Sequence, residues 1–123
     1  MNIMLLIIGG CLPLVWGITH FFPTRSVVKN FGAISTDNKH IITMEWIIEG
    51  VALTFIGLLV LLITIIDHTA QVSRSVYWLV IGILNVLSIV SLLTGFKINF
   101  LPYKLCPVIF TTASLLIFLG VIL

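Results

Sequence analysis

Charge is scarce in this chain: six Lys or Arg and four Asp or Glu among 123 residues, so that charged residues make up 8% of the sequence. Soluble domains carry about 25%, and this shortfall excludes a water-soluble enzyme or a nucleic-acid-binding module. Cysteine is limited to Cys11 and Cys106, with no CxxC motif. Cys11 falls inside one apolar stretch and Cys106 at the start of another, at different depths. No disulfide or thiol-redox centre is therefore expected, and both read as small buried side chains. GxSxG, Walker and Rossmann glycine patterns are missing, and with them the soluble-cofactor chemistries they serve. Neither HxxxH nor ExxH occurs, so no metal site is expected.

What the chain has is apolar length. Hydrophobic residues make up 60% of it, and the mean hydropathy is +1.30. These values belong to a membrane protein. Four segments carry almost no charge: Ile3 to Phe22, Ile41 to Ile66, Val76 to Gly95 and Leu105 to Leu123. Each is long enough to cross a hydrocarbon core of ~30 Å at ~1.5 Å per residue. The breaks between them, "PTRSVVKNFGAISTDNKH", "DHTAQVSRS" and "FKINFLPYK", are short and polar or Pro-containing,. The expected fold is all-α, an integral membrane four-helix bundle forming a single domain over residues 1–123.

Orientation follows from the basic residues, which resist translocation. Arg25, Lys29, Lys39, Lys97 and Lys104 lie in or beside the first and third breaks, and only Arg74 lies in the second. The first and third breaks are thus expected in the cytoplasm and both termini on the non-cytoplasmic side. At the N-terminus "IGGC" loosely resembles a lipobox. The apolar run continues past it to Phe22, so the first segment is expected to be an uncleaved span. Pro13 should kink that span by freeing the Gly9 carbonyl. Residues 25–34 place Val27, Val28, Phe31 and Ile34 on one side, which suits a short helix on the cytoplasmic surface. Gly9, Gly10, Gly17, Gly50, Gly57 and Gly82 permit close helix approach.

Two acids interrupt the second segment. In "TMEWIIEG", Glu45 and Glu49 are four residues apart and share a helix face, about 40° from one another around the axis. The segment is longer than the hydrocarbon is thick, so Glu45 can stand among the head groups. Glu49 falls within hydrocarbon at either limiting placement. An unpaired carboxylate there costs several kcal/mol or more, so Glu49 should face a partner or a wet crevice. A serine cap in "STDN" offers Glu45 a simpler role as a helix-start acid.

Candidate partners converge near the cytoplasmic level. His20 ends the first span in "THFFPTR", with Arg25 just beyond it. Asn85 and Ser88 lie on one face of the third span. Tyr103 and Lys104 stand at the entrance of the fourth, with Thr111 and Thr112 deeper. The expected site comprises Glu49, Glu45, His20 and Asn85, supported by Arg25, Trp16, Tyr103, Lys104 and Thr111. Asn85, Ser88, Thr111 and Thr112 equally suit hydrogen bonds between helices. Trp46, Trp78 and Tyr77 suit an interfacial aromatic belt, whereas Trp16 lies further in and could line a pocket.

The order of features, "WGITHFFPTR" closing the first span and "MEWIIEG" opening the second, resembles small uncharacterised bacterial membrane proteins of the DoxX-like type. That resemblance implies a four-helix bundle of the bacterial inner membrane. Some DoxX relatives are associated with quinone-linked or thiol redox systems, and the paired cysteines of the latter are missing here. From the residues, the leading expectation is a protein that binds a lipid-like or quinone-like molecule in a polar pocket near the cytoplasmic leaflet, as an accessory subunit. A proton-coupled small transporter, oligomeric because four spans enclose little, is the alternative. A membrane enzyme using Glu49 or His20 as acid or base on an apolar substrate is a third, which the lack of motifs disfavours. No cofactor is expected beyond a quinone as ligand. Membrane lipids are the expected partners, in a homo-oligomer or a larger membrane complex, with no nucleic acid.

Overall fold

The computed structural model describes all residues, Met1–Leu123. Five α-helices and one 3₁₀ turn make up the chain: α1 (Ile3–Thr19), α2 (Thr24–Lys29), α3 (Thr36–Asp67), α4 (Gln71–Thr94), the turn Gly95–Lys97, and α5 (Leu101–Ile122). The protein is an all-α membrane bundle. The helical stretches Thr36–Asp67, Gln71–Lys97 and Leu101–Ile122 are long and apolar enough to cross a membrane, and Ile3–Thr19 is a shorter apolar helix.

Local chemistry sets the boundaries, and it moves several of them from the expected positions. α1 stops at Thr19 rather than running to Phe22. Phe22 precedes Pro23, and the residue before a proline is pushed out of helical geometry. α2 covers Thr24–Lys29, starting one residue before the expected 25–34 and ending five residues short of it. Gly32 ends this unit at φ 75°, a left-handed conformation that costs glycine nothing and other residues about 1–2 kcal/mol,. α3 begins before Ile41 because Ser35 caps it, accepting the Asn38 N–H at 3.2 Å,. α4 begins before Val76. The Asp67 carboxylate accepts the Thr69 and Ala70 N–H groups at 2.9 and 3.2 Å, folding a tight turn into its first residues. α5 begins before Leu105, with Pro102 in its first turn, where a missing N–H is harmless,.

α1 lies between α3 and α5, α5 packs on α4, and α2 folds back on α3. α3 and α4, although consecutive, touch little. They meet near their shared turn, where Thr64 Oγ1 donates to the Val60 carbonyl at 2.6 Å and pairs with the Tyr77 hydroxyl at 2.9 Å. From there toward the basic loops they leave a groove between them. The two chain ends lie together: the Asn2 N–H donates to the Gly120 carbonyl at 2.8 Å. Leu6, Leu53, Val60, Tyr77, Leu84, Phe110 and Ile117 form the core. Large apolar side chains such as Ile65, Ile66, Leu79 and Leu93 point outward, as a lipid-facing surface requires,.

The α1–α3 seam depends on missing side chains. A Cβ at Gly17 would stand 2.5 Å from the Thr54 nitrogen, and one at Gly57 2.6 Å from the Leu14 nitrogen. Gly82 differs from the expectation: nothing lies within 4 Å of a Cβ there, so it takes no part in helix approach. Pro13 is buried and α1 runs through it without interruption. Tyr77 is fully buried and bonded to Thr64. It is a core residue rather than a member of an aromatic belt, whereas Trp78 is exposed and packs against Phe118.

Candidate functional site

The glycine seam fixes the level of the site. With Gly10 against Val60 and Gly17 against Gly50 and Thr54, the C-terminal end of α1 comes down beside Glu49 and Trp46 of α3. His20, the residue that ends α1, is buried there at 5% exposure, and its Nε2 lies 3.5 Å from Glu49 Oε1. Its other ring nitrogen, Nδ1, lies 2.7 Å from the Trp16 carbonyl. A carbonyl can only accept, so Nδ1 carries a proton. Nε2 of a neutral ring would then hold a lone pair toward Glu49. At 3.5 Å the two groups are within ion-pair reach, and a protonated imidazole there would offset the carboxylate's charge,.

Aromatic rings wall the histidine. The Trp46 indole N–H donates to the His20 carbonyl at 2.6 Å, and its ring lies 4.7 Å from the imidazole centroid. Trp16 meets the imidazole edge-on at 6.0 Å, and Tyr103 meets Trp46 edge-on at 6.0 Å. Glu49 is freer, at 47% side-chain exposure. It opens onto a cavity of about 600 Å³ whose wall includes Trp16, His20, Trp46, Ser91, Tyr103 and Cys106. The Trp16 ring lines this cavity, but its indole N–H is buried beside the Cys106 thiol. It has no hydrogen-bond partner of good geometry, and a thiol sulfur is only a weak acceptor.

A second hollow of about 650 Å³ adjoins the first in the groove between α3 and α4, and is walled mostly by apolar side chains such as Ile48, Leu53, Ile56 and Ile83. Trp46, Glu49, Leu87 and Tyr103 line both. The crevice as a whole therefore has a polar end under α1 and an apolar arm that reaches the lipid-facing surface.

The structure brings together Glu49, His20, Trp16 and Tyr103. Glu45 lines only the apolar arm and has no ion-pair partner. No group of three His, Cys, Asp or Glu residues gathers in metal-binding geometry. Asn85 is not brought to the site: its Nδ2 donates to the Ile81 carbonyl at 2.8 Å and to Ser114 Oγ at 3.0 Å. Thr111 is also elsewhere, paired with Ser88 at 2.6 Å. Both belong to a polar seam between α4 and α5. Arg25 lies on α2 beside a separate basic hollow, and Lys104 stands over the Phe96 ring at 5.7 Å.

Trp46, Leu87, Ser91 and Cys106 were not among the expected site residues. Trp46 had a readable signal, since it lies three residues before Glu49 and so shares its helix face. For the other three, only the packing of α5 on both α1 and α4 brings them to the cavity beside His20. No protein-family model, curated protein or solved structure matches the chain, so the functional reading rests on these residues and their geometry.

Proposed function

We propose that this is a multi-pass cell-membrane protein, its basic loops in the cytoplasm, that binds an amphipathic lipid-like or quinone-like molecule in the crevice beneath α1. The proposal includes a kinship with the small DoxX-like proteins of the bacterial inner membrane. The observation that carries it is the two-part character of the crevice. The His20–Glu49 pair, walled by Trp16, Trp46 and Tyr103, stands at one end, and a mostly apolar groove between α3 and α4 leads away from it. A polar head that donates to Glu49 would satisfy the first, while its tail leaves along the second. A volume of about 600 Å³ suits a small-molecule head group and the start of a chain.

Tryptophan fluorescence tests the reading. Replacing Trp78, which lies outside the crevice, by Phe leaves Trp16 and Trp46 as reporters. A short-tailed benzoquinone or a brominated single-chain lipid should then quench them saturably. Linear quenching by both compounds, as for simple partition into the micelle, would contradict the proposal.

The contact of two titratable side chains, His20 and Glu49, at 3.5 Å favours one second reading, proton-coupled transport. It requires a proton flux into liposomes that Glu49→Gln abolishes, with binding at the crevice as its first step.

A further inference from the structure

A separate hollow of about 320 Å³ lies where α2 folds back on the start of α3, lined by Thr24, Arg25, Lys29, Lys39 and Thr43 among others. On α3, Lys39 points about 120° around the axis from Glu45, so this hollow opens on a different face from the crevice. The sole ion pair in the chain is His20–Glu49, which leaves Arg25, Lys29 and Lys39 without a carboxylate partner. Three cations turned toward one space repel one another, and they are held there by backbone geometry. Val27 is buried in the bundle, and Gly32 closes the turn with its N–H on the Lys29 carbonyl at 3.1 Å. Thr24 and Thr43 use their hydroxyl protons on the carbonyls of His20, Phe21 and Lys39, so hydrogen bonds to a ligand must come from the cations themselves.

We infer that this hollow binds the phosphomonoester head group of an anionic membrane lipid. Lys39 lies in the first turns of α3, ten residues before Glu49, and so about 15 Å nearer the basic end along the axis. The limiting placements of α3 put Glu49 about 3–12 Å inside the hydrocarbon boundary and so Lys39 about 3–12 Å outside it, a range that spans the head-group layer of about 5–8 Å. A phosphodiester carries one negative charge and leaves two of the three cations uncompensated. A phosphomonoester carries about −1.5 to −2 at neutral pH, offers three strong acceptor oxygens, and matches the planar fork of Arg25 with two lysine donors around it. The charge count thus favours a monoester over the commoner diesters. The site would tether the surface helix α2 and the start of α3 to the membrane beside the crevice.

The full chain in non-ionic detergent provides the test. Phosphatidic acid and phosphatidylglycerol, matched in acyl chains and added at equal concentration, are compared by native mass spectrometry for the fraction of protein carrying each. The expected result is a preference for phosphatidic acid of roughly five- to tenfold. It should fall to parity in the Lys29→Gln/Lys39→Gln double variant and persist in Lys97→Gln, which removes one charge outside the hollow and is the charge-matched control for Lys39→Gln. All the altered side chains are exposed; the single variant Lys39→Gln, with an intermediate preference, gives the same answer if the double variant proves unstable. Equal retention of the two lipids by the unaltered chain, or an unchanged preference in the double variant, would overturn the inference. Millimolar inorganic phosphate separates the sources. Persistence of the lipid adduct supports a lipid ligand, and displacement to background assigns the hollow to soluble phosphate.

Discussion

His20 and Glu49 stand 3.5 Å apart at the polar end of the crevice, one buried and the other half-exposed. Because the Trp16 carbonyl holds Nδ1 protonated, Nε2 is the ring nitrogen that faces the Glu49 carboxyl. Glu49→Gln should keep the shape of the side chain while removing the carboxyl's charge. The expected outcome is near-normal unfolding in detergent with the crevice ligand weakened. Trp46→Phe should act differently: it deletes the N–H on the His20 carbonyl and should cost about 0.5–1.5 kcal/mol of stability, measured by chemical unfolding. The glycines give a sharper steric contrast. Gly17→Ala pushes a methyl onto the α3 backbone and should destabilise by about 1–3 kcal/mol, whereas Gly82→Ala meets open space and should be neutral or slightly stabilising. Glu49 stands out in the sequence because a carboxyl in an apolar run requires an explanation at its own position. The Trp16 N–H does not, since an indole inside a span is common and only the packed structure shows it buried beside the Cys106 thiol.

At the level of elements, the four apolar segments are visible in composition alone, and their ends are not. Each boundary shift has a short-range cause in a neighbouring break: Pro23 shortens α1, Ser35 lengthens α3, the Asp67 turn advances α4 and Pro102 advances α5. The pairing of helices is less legible still. A polar residue at mid-span looks the same whether it serves a ligand or a neighbouring helix, and Asn85 proves to bond Ser114 across the α4–α5 seam. Asn85→Ala should therefore loosen that seam, by about 0.6 and at most about 1.7 kcal/mol, the range of hydrogen bonds between membrane helices. Thermal unfolding in detergent measures the loss, and ligand retention should remain unchanged. The α3–α4 groove has a comparable origin. Consecutive helices joined by a short turn are expected to pack along their length, but α1 takes the place beside α3 and α5 takes the place beside α4.

For the whole molecule, the adjacent termini and the basic loops at the opposite end make orientation a single question. In a chain with Cys11 and Cys106 replaced by Ala, an impermeant thiol reagent applied to intact cells should label Arg74→Cys and spare Lys97→Cys. The reverse pattern would invert the topology and place the crevice in the outer leaflet. The central claim, that the His20–Glu49 end of the crevice holds an amphipathic molecule, meets its most direct test in mass spectrometry of small molecules carried through purification. The unaltered chain and the Asn85→Ala variant should release the same lipid-like or quinone-like compound in near-stoichiometric amount, and Glu49→Gln should release little of it. Equal yields from Glu49→Gln and the unaltered chain, or no such compound from any of the three, would contradict the account.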